Sequence, residues 1–255
     1  MSKSYKIAAL AVLLAAAPLA ANTVTFKMSY FIPTMKSDFW DTEFENMSFA
    51  RSNFQNTSFG LAYELFLTRE ISFVVGLETY SRTKGAFYKG YVGYTIDYED
   101  WAFPDLYEGE FTPQHSLYTS ITPIQFSLKV VPFGRRMKLI PYVGAGAGIY
   151  FWSLRMQGDM IDFSDEYYYY DDVYNEDVPV YPIYIVDAME GRNFGRISFG
   201  GHVFGGIMFP IANRLTLDAE FKLSFAKGKM SEAFTGFAPL DLGHYQISVG
   251  INYWF

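Results

Sequence analysis

From Leu215 to Ala226, Leu215, Leu217, Ala219, Phe221, Leu223 and Phe225 alternate with Thr216, Asp218, Glu220, Lys222 and Ser224. Successive side chains of a β-strand point to opposite faces. As a strand, this segment has one apolar face and one face with charge at three consecutive positions. Such a face cannot meet lipid or a dry core unpaired. It can meet the polar interior of a barrel.

The same period recurs. In the last twelve residues Tyr245, Ile247, Val249, Ile251, Tyr253 and Phe255 alternate with His244, Gln246, Ser248, Gly250 and Asn252, and Trp254 breaks the polarity at the end. Aromatic residues at both ends bracket an aliphatic middle, as a lipid-facing strand requires, because aromatic rings collect at the two membrane interfaces. Asn22–Ile32 sets Val24, Phe26, Met28, Tyr30 and Ile32 against Thr23, Thr25, Lys27 and Ser29. Thr57–Thr68 and Ile71–Tyr80 put Glu64 and Glu78 on their polar faces. Three noisier segments complete the set. Thr122–Val131 carries Lys129 inward and Pro123 near its start, Ile140–Trp152 has Gly144, Gly146 and Gly148 on one face, and Arg196–Phe209 has His202 on its polar face.

Eight strands follow, with connections that alternate in length. Thr68–Glu70, Pro132–Leu139 and Pro210–Arg214 are short, whereas Pro33–Asn56, Ser81–Tyr118, Ser153–Gly195 and Lys227–Gly243 are long. This is the plan of an all-β, transmembrane, antiparallel up-and-down barrel with short periplasmic turns and four long extracellular loops. Val178–Val186 alternates weakly, so ten strands are the alternative count. The pattern reconciles two facts about composition. Half of the 255 residues are hydrophobic, yet beyond residue 21 no apolar run approaches the ~20 residues of a membrane helix. Closure of the sheet removes every edge, which lipid demands. A soluble β-sandwich is the competing class, but its core-facing positions do not tolerate repeated charge.

Residues 1–21 read as a cleaved secretory signal peptide: Lys3 and Lys6, an apolar stretch Ile7–Leu14, then small residues broken by Pro18 and ending at Ala21. Residues 22–255 form a single barrel domain with 18 basic and 27 acidic side chains, a net of −9. The segment Ser153–Gly195 holds ten acids and two bases, so it carries −8 of that charge. An acidic chain without a basic stripe argues against nucleic-acid binding. The absence of Cys removes disulfides, Cys-ligated zinc and thiol nucleophiles.

Three segments resemble the small outer-membrane β-barrel superfamily of Gram-negative bacteria, which includes outer membrane protein W-like, outer membrane protein A-like and opacity-type barrels. They are the terminal Ile251-Asn252-Tyr253-Trp254-Phe255, the Gly-rich Pro141–Gly148, and Ile124–Lys129 before it. The resemblance implies residence in the bacterial outer membrane, among its lipid and lipopolysaccharide. It also implies insertion by the barrel assembly machinery, which would read Val249, Ile251, Tyr253 and Phe255 as a C-terminal signal.

Candidate functional residues fall into two groups. Glu64, Glu78, Lys129, Asp218, Glu220, Lys222 and Gln246 are expected to form a polar network in a lumen that eight strands leave only just wide enough for side chains. Asp165, Glu166, Tyr167, Tyr168, Tyr169, Tyr170, Asp171 and Asp172 mark an acidic, Tyr-rich loop. It is expected to be solvated and spread by like charge, with an extracellular protein partner as the sharper alternative, since Tyr offers apolar area and a hydroxyl at low entropy cost. Its acids match no EF-hand spacing, and no metal or cofactor is expected. The only histidines are His115, His202 and His244. None stands in the His-x-Ser pattern of lipid A deacylase barrels, and Asp97, Glu99 and Asp100 have no His near them in sequence. The expected function is therefore a non-enzymatic structural or surface-interaction barrel. A narrow or lateral passage for small or apolar solutes is the first alternative and a lipid-modifying enzyme the second.

Overall fold

The computed structural model describes residues 22–172, 175–193 and 197–255. The signal-peptide reading of residues 1–21, and the first residue of the Arg196–Phe209 segment, lie outside them. Eight antiparallel strands form the wall: β1 (Asn22–Pro33), β2 (Asn56–Phe66), β3 (Ile71–Phe87), then, after two short strands β4 (Tyr91–Ile96) and β5 (Glu99–Pro104), β6 (Gln114–Val130) and β7 (Ile140–Ile161). After β8 (Tyr167–Asp171) and β9 (Glu176–Val186) come β10 (Ile197–Ala212), β11 (Leu215–Gly228), a two-residue β12 (Leu240–Asp241) and β13 (His244–Trp254).

The ring is closed. Neighbours run β1-β2-β3-β6-β7-β10-β11-β13, and β13 returns to β1 along eleven residue pairs from Thr23–Trp254 to Pro33–His244. The wall therefore has eight strands and not ten. Strands β4, β5, β8 and β9 lie outside the ring and extend its sheet above the long-loop end: β9 pairs with the end of β7 from Gly158–Val186 to Ile161–Ile183, and with β5 and β8. Residues 167–171, expected in a solvated loop, instead form one strand of a hairpin with β9, bonded by backbone pairs despite their like charge.

Three wall strands are longer than their sequence pattern. β3 continues from Tyr80 to Phe87, β6 begins at Gln114 rather than Thr122, and β7 runs 22 residues to Ile161 rather than stopping at Trp152. A strand of that length rises roughly 75 Å, or about 55 Å along a barrel axis at ~40° tilt. A bilayer's apolar band accounts for only ~25 Å of it.

The polarity of these strands changes hand part-way up. In the lower part of β7, Val143, Ala145, Ala147, Ile149 and Phe151 point outward and glycines point in; above, Arg155 and Gln157 occupy the outward register while Trp152, Leu154 and Met156 are buried inside. In β6, Phe126 and Leu128 face out opposite Gln125, Ser127 and Lys129, whereas higher up Leu117 and Ile121 are buried inside and Ser116, Tyr118 and Ser120 face out. The lower barrel is thus built for an apolar surrounding and the upper barrel for water.

Pro123 lies in the middle of β6, not near a strand start. The β3–β6 ladder passes from Leu77–Ile124 to Tyr80–Ile121 without pairing Glu78 or Thr79. Proline has no N–H to give to a ladder, and the interruption sits where that donor is missing.

Candidate functional site

The lower lumen is an ion-pair lattice. Parity aims the polar residues of every wall strand inward, and Glu64, Glu78, Lys129, Asp218, Glu220, Lys222 and Gln246 are all buried there. At the base, Lys129 Nζ donates to Glu64 Oε2 at 2.9 Å, and Ser72 Oγ donates to Glu64 Oε1 at 2.5 Å. At mid-height, Lys222 Nζ donates to Glu78 Oε1 at 2.5 Å and to Gln125 Oε1 at 2.9 Å, and lies 3.8 Å from Glu220. Gln246 Nε2 donates to Ser58 Oγ at 3.0 Å nearer the top.

Several partners were not singled out in the sequence. Lys27, on the polar face of β1, donates to Glu220 Oε2 at 2.7 Å. Tyr142 shares the inward register of the β7 glycines, and its hydroxyl donates to Asp218 at 2.6 Å and to Glu220 at 3.0 Å. Its ring lies 4.0 Å from the Lys129 ammonium, a favourable cation–π distance. Arg135, on the β6–β7 turn, reaches back into the barrel, donates to Glu64 at 3.2 Å and to Ser72, and stacks over Phe66 at 4.1 Å. Strand parity would have found Lys27 and Tyr142. No period marks Arg135, because it stands on a turn.

Among the described residues the lattice sets four cations (Lys27, Lys129, Lys222, Arg135) against four anions (Glu64, Glu78, Asp218, Glu220). The free space between them is a cavity of about 30 Å³. Close packing is possible because the glycine face leaves room: a Cβ on Gly206 would lie 2.5 Å from the Tyr142 hydroxyl, and one on Gly146 would lie 2.1 Å from the Phe126 carbonyl oxygen.

Above the lattice the interior becomes aromatic. Phe31 stacks on Tyr80 at 3.9 Å and on His244 at 4.1 Å. Over them sits α1 (Asp38–Asn46), the helix of the first long connection, with Phe39 and Trp40 buried. Asp38 and Asp41 lie in its first turn, where the helix dipole favours negative charge. Lys89 Nζ donates to the carbonyls of Phe44 (2.7 Å) and Glu45 (3.1 Å) at its other end, the complementary arrangement. Phe39 meets Phe234 and Phe237 edge-on, each at 5.4 Å, and Trp40 meets Phe54 at 5.1 Å. The long connections thus close the mouth with an apolar core of the kind found in water-soluble proteins.

The histidines are placed apart. His115 Nε2 is 2.9 Å from Glu43 Oε2, which ties β6 to α1 within the cap. Beside it, burial raises the Tyr88 hydroxyl above the ordinary phenol range. His202 Nε2 is 2.7 Å from Ser127 Oγ in the lumen, while its Nδ1 has no hydrogen-bond partner. A nucleophilic serine needs a base that is itself oriented by a third group, and here that third position is empty. Both residues line the cavity within the lattice. Asp97, Glu99 and Asp100 sit around the β4–β5 turn, where Asp100 accepts from Thr95 Oγ1 at 2.8 Å.

On the outside, Val249, Ile251 and Tyr253 project from β13 and are exposed. Phe255 follows them, its N–H donating to the Asn22 carbonyl at 3.0 Å and its ring 5.2 Å from that of Tyr253. Phe26, Phe59, Phe126, Phe221 and Ile247 are also exposed around the ring. Exposure of so many large apolar side chains in a continuous band is what a bilayer would cover.

The chain is a closed eight-stranded barrel with an apolar outer belt. No family model matches it, and no curated protein does. Among solved structures it matches outer membrane protein OprG of Pseudomonas aeruginosa at 12% identity, covering 92% of this chain and 95% of that one, with a TM-score of 0.48. It matches the attachment invasion locus protein Ail of Yersinia pestis at 8% identity, over 92% and 98% of the two chains, with a TM-score of 0.43. Outer Membrane Protein W of E. coli is matched at 12% identity, over 93% and 100%, with a TM-score of 0.40. These three are small bacterial outer-membrane barrels.

Proposed function

We propose that this chain is an integral outer-membrane barrel without enzymatic activity, whose lumen is a sealed polar plug and whose role is structural or one of surface interaction. The observation that carries the reading is the lumen itself: eight charges of balanced sign, six of them buried, about 30 Å³ of free space, and an aromatic cap across the upper mouth. A hydrated ion would have to displace paired charges and then the cap. The outer belt supports residence in the outer membrane, with lipid and lipopolysaccharide around it. The alternation through Val249, Ile251, Tyr253 and Phe255 supports recognition by the barrel assembly machinery. The folded assembly of β4, β5, β8 and β9 above the belt supports contact with an extracellular protein.

The test is conductance. Purified full-length protein in planar bilayers at high KCl is expected to give no discrete current steps. Reproducible ohmic steps from the unmodified chain would overturn the plug.

A second reading, lateral passage of small apolar solutes through the wall, is favoured by the ladder interruption at Pro123. Pro123→Val would restore the missing donor. If passage occurs there, this substitution slows uptake of an apolar solute by cells that express the protein. Equal uptake by such cells and by a deletion strain would remove this reading.

A further inference from the structure

Strand β8 pairs on one side only. Its partner is β9, through Tyr167–Val180, Tyr168–Pro179, Tyr169–Val178, Tyr170–Asp177 and Asp171–Glu176. No other described strand pairs with it. Pro179 has no N–H, so Tyr168–Pro179 is a non-hydrogen-bonded pair, and by alternation Tyr170–Asp177 is another. The N–H and C=O of Tyr168 and Tyr170 therefore point away from β9, toward the open edge. Tyr167 and Tyr169 pack against Trp101 at 5.0 Å and Phe103 at 5.4 Å, which steadies the strand from one face. Tyr168, on the other face, is 65% exposed.

An open edge is a template for any extended chain, and the surrounding charge limits which chain fits. Residues 162–186 hold seven acids and no Lys, Arg or His. Edge-to-edge pairing with a second copy would set like charges against each other, which disfavours it. A cationic strand meets complementary charge instead. Glu166 accepts from the hydroxyls of Tyr168 at 3.2 Å and Tyr181 at 3.1 Å, so it stands beside the edge as a fixed acceptor.

We infer that the free edge of β8 is a docking strand for an extended, cationic segment of another protein, bound by strand addition. This rests on the surface-interaction reading above and names the partner's chemistry. Main-chain bonds to Tyr168 and Tyr170 supply the register. The phenol rings supply apolar contact, and the flanking acids select Lys or Arg at alternate positions.

The test uses the full chain reconstituted in lipid and a short fluorescent peptide of alternating Lys and Val, followed by anisotropy. Two comparison peptides are needed: the same sequence with its backbone nitrogens methylated, and a Glu/Val counterpart. The Lys/Val peptide is expected to bind, with affinity falling as salt rises, and both comparison peptides to bind at least about tenfold more weakly. Tyr168→Pro removes an outward N–H while leaving every β8–β9 bond in place, and is expected to weaken binding about tenfold. Asp172→Asn, which leaves the backbone intact, is expected to weaken it and flatten the salt dependence. Equal binding of the methylated peptide, unchanged binding by Tyr168→Pro, or no binding of Lys/Val peptide by the unmodified chain would each overturn the edge assignment. The bilayer record of the same preparation judges the sealed-lumen reading separately.

Discussion

Replacing Lys222 by Met tests how the lattice holds the barrel. Its ammonium donates to Glu78 Oε1 and Gln125 Oε1 and lies 3.8 Å from Glu220. Glu220 keeps a second cation, Lys27, at 2.7 Å. Among the described residues Glu78 has no other salt-bridge partner, and its Oε2 has no hydrogen-bond partner. Lys222→Met therefore leaves a buried carboxylate uncompensated, a loss of about 3–5 kcal/mol. With a urea slope near 3 kcal/mol/M, the unfolding midpoint falls by roughly 1–2 M. The intrinsic fluorescence of the four tryptophans in lipid vesicles reports it. The double change Lys222→Met with Glu78→Met removes both charges and is expected to recover most of that stability, because apolar replacements of buried ion pairs are often close to neutral. The reasoning is refuted if the single variant unfolds with the unmodified protein, or if the double variant is as unstable as the single one.

Phe255→Asp, or loss of Phe255, is expected to reduce the amount of assembled barrel in the outer membrane; unchanged heat-modifiable protein in membrane extracts would count against it. Lys at Val249, in the apolar belt, is expected to cost about 2–4 kcal/mol, while Lys at Gln157, on the outer face of upper β7, should stay within about 0.5 kcal/mol. Equal costs measured by urea titration would displace the boundary drawn between the lipid-facing and water-facing barrel.

The eight wall strands were legible because lipid outside and charge inside impose one parity on each strand. That same rule hid their upper ends. Tyr80, Ile121 and Trp152 are apolar on the inward register, so the alternation breaks at the point where the surroundings change from lipid to water. β8 was hidden for another reason: Tyr167 to Tyr170 are four identical residues and show no alternation, and only the partner β9 makes them a strand. The lattice was half visible. Side chains on strands obey parity, so Lys27 and Tyr142 were implied by it, but Arg135 enters from a turn. The cap was not visible at all, since Phe39 meets Phe234 from the far end of the chain, and no local pattern encodes that contact.

This distance has a consequence for assembly. Cap residues come from the first long connection and from the last, so their contacts cannot form until nearly the whole ring has been laid down. The ordering entropy of those segments is met only at the end, when the rings can stack. Until then Phe39, Trp40, Phe234 and Phe237 are exposed apolar groups on segments that must reach the far side of the membrane. Closure of the cap thus joins the first long connection to the last, as the β1–β13 seam joins the first wall strand to the last.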